Sequence, residues 1–279
     1  MPTQAQKASA FQALHQRDRA FIIPNPWDAG TAVLLAHLGF EALATTSAGY
    51  AFSQGLPDKA IGREKMMMHV VAISCATDLP VSGDLENGFG DTPETVAQTI
   101  ILAAAAGLVG GSIEDSPAEP DALVYEFAHA VDRVRAAAEA AHGLPFPFTL
   151  TARAENFLCG RPDLSDTIHR LQAFQEAGAD VLYAPGLSRI EDIATLVKSV
   201  DRPVNVLMGL QPGTLSVADL SALGVRRVSV GSGLCRAALG AFLNCARELR
   251  ERGTFTLPED AVTFSEINGI FAGALPTKA

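Results

Sequence analysis

Short apolar segments alternate with longer segments of helical pattern eight times along this chain, and this alternation constrains the fold more than any other feature. The apolar segments are hydrophobic on both faces, as expected for parallel strands that are covered on both sides. The predicted strands are 20–25, 41–46, 79–84, 108–114, 147–153, 179–185, 202–207 and 225–231. The predicted helices between them are 27–38, 60–77, 92–106, 121–141, 163–177, 189–199, 216–223 and 232–252. This order predicts a (β/α)₈ barrel of the TIM type rather than an open doubly wound sheet.

Residues at the segment boundaries support the same pattern. Thr92 is suited to cap a helix that begins at Pro93, and Asp163 and Ser216 offer similar caps. Three helices run into a glycine before the next strand, in HLGFEAL, EAGADVL and ALGVRRVSV, where glycine supplies a left-handed helix end. These boundaries favour repeated strand–helix units.

The ends of the chain add a predicted helix near 5–17 and another in the tail after 253. No Pro- or Ser-rich linker or change in composition divides the sequence. We therefore predict one barrel domain over residues 1–279.

Composition narrows the class of protein. The 279 residues are 48% hydrophobic, which is ample for a large core, and the net charge of −10 is spread along the chain. A negative surface repels phosphate backbones and anionic lipid, so no nucleic acid or membrane partner is expected. The sequence lacks a signal peptide or an apolar run of membrane-spanning length, and its four cysteines lack CxxC spacing. We expect a cytoplasmic protein with reduced thiols.

Acidic residues collect at the ends of three consecutive predicted strands. Asp84 and Glu86 follow the third strand, Glu114 and Asp115 the fourth, and Glu155 the fifth. A single aspartate at such a place is more often a helix cap than a ligand. In a barrel these ends open into one mouth, where several carboxylates repel each other unless a cation or shared protons relieve them. An oxygen-only set without clustered His or Cys favours Mg²⁺, with Mn²⁺ as the alternative.

Other groups at the mouth point to an anionic substrate. Arg153 either holds a substrate carboxylate or stabilises a developing enolate oxygen, or it forms an ion pair with Glu155 or Glu114. The turn at Ser47-Ala48-Gly49 either is a simple small-residue turn or presents backbone N–H groups to a carboxylate. The glycines of Asn87-Gly88-Phe89-Gly90 do not complete a phosphate-binding motif, so no nucleotide site is expected.

In combination, several stretches resemble the phosphoenolpyruvate mutase/isocitrate lyase superfamily from about residue 10 to 272. They are NPWDAGTAVLLAHLGFEALATTSAG, GDLENGFGD, SIEDS, TARAENF, the GAD before the sixth strand, and GVRRVSVGS. The resemblance implies a (β/α)₈ barrel whose last helix is exchanged between paired subunits, giving a homodimer or homotetramer. It also implies a small 2-oxo carboxylate as the substrate.

The resemblance further implies roles for individual residues. Asp84 would hold Mg²⁺ directly, with Glu86 and Glu114 acting largely through water. Arg153, Glu114 and Asp58 would be the catalytic set, with Arg153 facing the oxygen that becomes an enolate. The substrate would be bound by Thr46, Ser47, Ala48, Gly49, Arg153 and Asn205.

One segment departs from the better-known members. The lyases carry a KxCGH-type motif on the loop after the fourth strand, whereas residues 115–121 here read DSPAEPD, without the Cys, Lys or His of that motif. The Lys and Asn of the mutases are missing there too. The sixth strand ends in Tyr183 rather than the His or Glu of relatives. The candidates for the absent proton donor are Tyr183, Glu119 and Cys159.

The leading hypothesis is a Mg²⁺-dependent carbon–carbon lyase that acts on a 2-oxo or 2-hydroxy polycarboxylate through a pyruvate-like enolate. The first alternative is a hydrolase or mutase-type enzyme acting on phosphonopyruvate or oxaloacetate. The second alternative is a barrel that binds a 2-oxo acid without turning it over.

Overall fold

The protein folds into a barrel of eight parallel strands, seen in a computed structural model that describes residues 2–117, 123–209, 215–256 and 261–274. The strands are β1 (Phe21–Ile23), β2 (Leu43–Ala44), β3 (Val81–Asp84), β4 (Gly110–Glu114), β5 (Thr149–Arg153), β6 (Val181–Tyr183), β7 (Val204–Leu207) and β8 (Arg227–Ser229). Each strand pairs with its sequence neighbour from β2 to β8, and β8 pairs with β1. Ala44 N donates to Pro24 O at 3.0 Å, which closes the ring between β1 and β2. The predicted TIM-type barrel is confirmed.

Helices follow the strands as the alternation predicts. They are α1 (Gln4–His15), α2 (Ala29–His37), α3 (Ser47–Ser53), α4 (Arg63–Cys75), α5 (Pro93–Ala105), α6 (Phe127–His142), α7 (Leu164–Glu176), α8 (Ile190–Lys198), α9 (Val217–Ala222), α10 (Gly233–Arg252) and α11 (Phe264–Ala274). Two details differ from the sequence prediction. The short helix α3 was not predicted, and α6 begins after 121 because the Glu126 side chain caps it by accepting from His129 N.

The boundary signals in the sequence act as expected. Thr92, Asp163 and Ser216 are N-caps whose side chains accept a backbone N–H two or three residues into the helix. The glycines before β2, β6 and β8 have φ of 84°, 106° and 92°, which side-chain-bearing residues adopt only with strain. These joints start each strand at a defined point, so that the strand ends meet at one mouth.

Helix α1 covers the amino end of the barrel. Phe11 is fully buried and contacts the rings of His15 and Phe21 edge-on, with centroids 4.8 and 6.3 Å away. The main hydrophobic core lies outside the strands, between them and the surrounding helices. With one end covered by α1, the carboxyl ends of the strands carry the open mouth.

Helix α11 packs against α2 of the same chain, where the ring of Phe271 lies 3.7 Å from the position of a Cβ on Gly30. The exchange of the last helix between subunits therefore stays a prediction, as does the homo-oligomer. Among the described residues, no helix is long and apolar enough to cross a membrane.

Candidate active site in the barrel mouth

The predicted site residues come together around a cavity of about 400 Å³ at the carboxyl ends of the strands. It is lined by Thr46, Ser47, Ala48, Asp58, Asp84, Glu86, Glu114, Arg153 and Asn205, while Gly49 does not line it. A larger cavity of about 510 Å³ lies at the amino end beside α1. That cavity lacks the group of carboxylates, so the mouth is the site on which the chemistry converges.

Arg153 is the centre of the acidic side of this mouth. Its Nη1 lies 2.9 Å from Asp84 Oδ1, its Nη2 3.1 Å from Glu114 Oε2, and its Nε 2.7 Å from Glu155 Oε1. Burial disfavours the guanidinium charge, but these carboxylates raise the pKa of Arg153 well above its ordinary value. Arg153 therefore forms the predicted ion pairs with Glu114 and Glu155, and its three carboxylate contacts fix the orientation of the guanidinium.

Asp84 is also held from the opposite direction. Its Oδ2 accepts from Ser47 N at 3.0 Å and from Ser47 Oγ at 2.9 Å. Its backbone N–H donates to Thr45 Oγ1 at 2.9 Å. Both carboxylate oxygens thus have protein donors, and Asp84 links Arg153 to the end of β2.

The Ser47-Ala48-Gly49 segment is the first turn of α3 rather than an open turn. Thr46 is its N-cap, and Gly49 N donates to Thr46 Oγ1 at 3.2 Å. A Cβ on Gly49 would lie 2.6 Å from Thr46 Cγ2 and 3.0 Å from Trp27 Cβ, so close packing requires the glycine. The N–H groups of Ser47 and Gly49 are thus engaged within the protein. Carboxylate binding by 46–49 stays a prediction.

Asp115 does not belong to the acidic mouth, contrary to the sequence prediction. It follows Glu114, and its side chain lies on the opposite side of the chain from the cavity. Its Oδ1 accepts from Glu155 N at 2.8 Å, and its Oδ2 accepts from Arg170 Nη1 at 3.1 Å. Asp115 therefore anchors the β5–α7 loop against α7 and leaves Glu114 to face the mouth.

Glu86 is a buried carboxylate at this site with an oxygen that lacks a hydrogen-bond donor in the described part of the chain. It is buried at a φ of 50°, and its Oε1 has no hydrogen-bond partner among the described residues. Burial and the charges of Asp84 and Glu114 raise its pKa to about 8. Burial, together with the charge of Asp84, also raises the pKa of Asp58 at the rim. Negative charge is in excess on this side of the mouth.

The donor set fits an ion that is bound largely through water. Within the described ranges, no three His, Cys, Asp or Glu side chains converge closely enough to enclose an ion. However, the set is made only of oxygens, it carries excess negative charge, and it leaves Glu86 Oε1 without a donor. Mg²⁺ commonly keeps several waters and takes one or two carboxylates. Asp84, Glu86 and Glu114 thus remain the predicted ligands.

Lys59 enters the mouth although nothing in the sequence pointed to it. It has a φ of 63°, and its Nζ lies 2.9 Å from Glu114 Oε1 and 3.2 Å from Ser116 Oγ. Attraction to Glu114 raises its pKa against the opposing effect of burial. A lysine beside an aspartate in a loop reads as an ordinary solvated charge, so only the fold brings it to the site.

The three candidate proton donors have different surroundings. Tyr183 lines the cavity, and the centre of its ring lies 5.3 Å from Arg153 Cζ. Burial raises the pKa of the Tyr183 phenol to about 12. Cys159 also lines the cavity and donates to Ser116 Oγ at 3.4 Å, and burial raises the pKa of its thiol. Glu119 lies outside the described residues.

Asn205 lines the cavity, but its side-chain amide is engaged. Its Oδ1 accepts from Arg227 Nε at 2.9 Å, and its Nδ2 donates to Ser229 Oγ at 3.0 Å. The sequence analysis missed Arg227 and Ser229. Alternation along β8 places both on one face of the strand, but it does not tell whether that face points into the barrel.

The loop after β3 is shaped by Arg133 of α6. The guanidinium donates to the carbonyls of Asn87, Gly90 and Asp91, and it lies 4.2 Å from the ring of Tyr125. The carbonyls of this glycine-containing loop thus face a cation. Arg133 therefore fixes the path of the loop through its carbonyl groups.

The carboxylates and Arg153 lie at the carboxyl ends of the strands, where (β/α)₈ enzymes carry their catalytic residues. The family described as phosphoenolpyruvate phosphomutase matches residues 11–250. The chain belongs to the phosphoenolpyruvate mutase/isocitrate lyase superfamily.

Three similar proteins cover most of the chain. A crystal structure from Burkholderia cenocepacia J2315, described in general terms as a lyase/mutase, has a TM-score of 0.94 and 61% identity over 96% of both chains. The uncharacterized protein Rv1998c of Mycobacterium tuberculosis H37Rv is 32% identical, covering 87% of this chain and 89% of its own. The oxaloacetate decarboxylase of Pseudomonas aeruginosa PAO1 is 30% identical over 87% of this chain and 84% of its own.

Two more distant structures contain small acids. An oxaloacetate acetylhydrolase in complex with its product oxalate has a TM-score of 0.85 and 25% identity over 95% of this chain and 93% of its own. A phosphonopyruvate hydrolase in complex with oxalate and Mg²⁺ has a TM-score of 0.83 and 24% identity over 96% and 95%. At that identity the hydrolase supports the shared fold.

Proposed function

We propose that this protein is a Mg²⁺-dependent carbon–carbon lyase that cleaves a 2-oxo or 2-hydroxy polycarboxylate through an enolate. The observation that carries this proposal is the fixed guanidinium of Arg153, held by Asp84, Glu114 and Glu155 at 2.7–3.1 Å. Preorganised donors of this kind stabilise charge that develops during a reaction, because they need no rearrangement at that moment.

Arg153 has donors to spare for a substrate oxygen. A guanidinium carries five N–H groups, and the three carboxylates each occupy one nitrogen. One N–H on each Nη is then available to the oxygen that becomes negatively charged. The three carboxylates prevent the guanidinium from turning away, and they keep it charged.

Asp84 would hold Mg²⁺ directly, and Glu86 and Glu114 would act largely through water. When bound, the ion would supply Lewis-acid stabilisation of an oxyanion and offset the acidic charge of the mouth. The unpartnered Glu86 Oε1 supports this assignment. The oxaloacetate acetylhydrolase in complex with oxalate supports a small carboxylate as the ligand.

Decarboxylation of oxaloacetate is the second candidate function. It replaces hydrolysis as the main alternative to the carbon–carbon lyase. Loss of CO₂ leaves an enolate without deprotonation of a hydroxyl group or a water, so it requires no general base. Residues 115–121 contain no Cys, Lys or His, and the Pseudomonas relative is an oxaloacetate decarboxylase. Both observations favour this simpler cleavage.

Exchange of the methyl protons of pyruvate in D₂O with Mg²⁺ tests enolate formation without knowledge of the second substrate fragment. We expect exchange in the wild-type protein, loss of exchange after removal of Mg²⁺, and loss in the Asp84→Asn variant. The Asp18→Asn variant, altered at a surface loop, is the matched control.

A panel of acids then separates the activities. Cleavage of 2-hydroxy polycarboxylates supports the lyase, CO₂ from oxaloacetate supports the decarboxylase, and phosphate from phosphonopyruvate supports hydrolase chemistry. Neither exchange nor turnover, together with thermal stabilisation by 2-oxo acids and Mg²⁺, would mean that the barrel only binds its ligand.

A further inference from the structure

The side of the mouth opposite the acidic cluster is organised by a second arginine, which is buried. Arg227 of β8 is only 4% exposed, yet it lines the same cavity as Arg153. Its contacts are all neutral: Asn205 Oδ1 at 2.9 Å, Thr151 Oγ1 at 2.9 Å and His15 Nε2 at 3.4 Å. Among the described residues, no carboxylate lies within ion-pair distance of it. A buried cation without a counter-ion is costly, so its presence needs an explanation.

Arg227 dictates the direction of every hydrogen bond beside it. A guanidinium only donates, so the Asn205 oxygen must face it and the Asn205 NH₂ group must face Ser229. Ser229 Oγ therefore accepts, and its single proton is left to point onward. Ser229 lines the cavity, so this proton is available to a ligand there.

Tyr183 lines the same cavity as Ser229. Among the described residues, no acceptor is found for the proton of the Tyr183 hydroxyl. Tyr183 is buried at 8% exposure, and burial holds its pKa near 12, so the phenol keeps this proton. The hydroxyl therefore presents a donor to a ligand in the cavity.

The contact between Arg227 and His15 also has a fixed donor and a fixed acceptor. His15 Nδ1 lies 2.9 Å from the carbonyl of Phe11, which can only accept, so Nδ1 carries the proton. Nε2 is then the acceptor for Arg227 Nη1. Burial and the neighbouring Arg227 charge lower the pKa of His15 to about 3, so the ring stays neutral and adds no second charge.

We propose that the donor wall formed by Tyr183, Asn205, Arg227 and Ser229 binds a carboxylate on the second fragment of the substrate. This inference rests on the proposed function, in which the first fragment occupies the acidic side at Asp84 and Arg153. The mouth then has two complementary halves: one side has excess negative charge for a cation, and the other has a positive charge and directed donors for an anion.

The donor wall also bears on which bond breaks. Donors that bind a carboxylate stabilise it as an anion, and they oppose its departure as neutral CO₂. They favour a cleavage in which the electron pair of the broken carbon–carbon bond goes to the enolate at Arg153. The second fragment keeps its carboxylate and leaves as a carbonyl compound, its hydroxyl losing a proton as the carbonyl forms. The wall therefore supports a polycarboxylate lyase over a decarboxylase.

Binding of lactate and malate to the Mg²⁺-loaded protein tests the wall, because the two acids differ only by the distal carboxylate. Oxalate, which has no distal fragment, reports on the acidic side alone. In calorimetric titrations we expect malate to bind at least about tenfold more tightly than lactate, as a charge-assisted hydrogen bond provides.

The Ser229→Ala variant removes one oxygen from the wall without disturbing packing. We expect the ratio of lactate to malate dissociation constants to fall about fivefold to tenfold, with oxalate affinity unchanged within about twofold. The Tyr183→Phe variant should act in the same direction. Arg227→Met should abolish the preference, and Arg227→Lys should restore part of it.

The matched control is Arg226→Met, because Arg226 directly precedes β8 but donates to Asp18 O at the surface. An unchanged lactate-to-malate ratio in Ser229→Ala, or equal binding of the two acids by the wild-type protein, overturns the wall while oxalate binding keeps the proposed function. Failure to bind oxalate with Mg²⁺ overturns both.

Discussion

Arg153, whose side chain is 13% exposed, and the buried Arg227 line the same cavity, and their surroundings are opposite. Arg153 contacts three carboxylates at 2.7–3.1 Å, whereas Arg227 contacts an amide, a hydroxyl and a neutral imidazole. The pKa of Arg153 is raised well above its ordinary value by its carboxylates, while burial lowers that of Arg227 to about 10. Arg153 is therefore an oriented donor whose charge is compensated, whereas the charge of Arg227 is not compensated.

The difference predicts separate losses of function. Arg153→Met should lower the Mg²⁺-dependent exchange of pyruvate protons by about 10³-fold, because it removes the donors to the developing oxyanion. Pyruvate has no distal carboxylate, so Arg227→Met should retain exchange within about threefold. The exchange rate in D₂O, followed by proton NMR, measures both.

Folding must be controlled in this comparison. Circular dichroism and thermal unfolding of both variants identify a loss that arises from unfolding. Equal losses of exchange in two folded variants would contradict the division of the mouth into two functional sides.

Asn205 tests whether Arg227 depends on its neutral partners. Asn205→Ala should lower the free energy of unfolding by about 2–3 kcal/mol, since a buried charge loses an acceptor. Asn205→Asp supplies a carboxylate and makes Arg227 resemble Arg153, so stability should return while the preference for malate over lactate is lost. Denaturant unfolding measures the first effect and titration calorimetry the second.

The surface variant Asn244→Ala is the control for loss of an amide. Retained preference for malate in Asn205→Asp would show that the wall does not depend on the uncompensated charge of Arg227.

The sequence predicted one kind of arginine and missed the other. Arg153 follows a predicted strand among acidic strand ends, so position and composition both identified it. Arg227 lies in the VRRVSVG segment beside Arg226, and adjacent arginines in a sequence do not reveal which one points into the barrel. That choice depends on the register of β8 with β1 and β7, which tertiary structure sets.

The same limit explains the other differences at the site. The eight strands, their order of alternation and the helix caps followed from local pattern, which is strong for repeated strand–helix units. Asp115 and Lys59 depended on side-chain direction and loop path. Glu114 and Asp115 are adjacent, so they had to face opposite sides, and only the contact with Arg170 shows which one left the mouth.

His15 should give a pH dependence that belongs to the Arg227 side alone. Its pKa is lowered from about 6.5 to about 3 in the folded protein, so the unfolded chain binds a proton more readily than the folded one. The stability that His15 contributes is present above pH 6.5 and is lost as the pH falls from 6.5 towards 3. Between pH 7 and pH 5.5 the free energy of unfolding should fall by about 1.3 kcal/mol from this group.

His15→Met should remove this part of the pH dependence, measured by urea unfolding at both pH values. The His37→Gln variant, altered on the exposed end of α2, controls for the loss of an imidazole. An unchanged slope in His15→Met would mean that the proton uptake on unfolding arises elsewhere, and that His15 does not have to stay neutral beside Arg227.

The smallest effect should come from substitution of Lys59, which tests whether this lysine lowers the affinity of the acidic side for Mg²⁺. Lys59 Nζ lies 2.9 Å from Glu114 Oε1, so it competes with Mg²⁺ for the same negative charge. Its side chain is 35% exposed, which weakens the ion pair through solvent screening. Lys59→Met should therefore strengthen Mg²⁺ binding by only about threefold, measured by calorimetry without substrate, and leave the preference for malate unchanged. Lys65→Met on the exposed face of α4 is the control, and weaker Mg²⁺ binding in Lys59→Met would show that Lys59 orients Glu114 instead of competing for it.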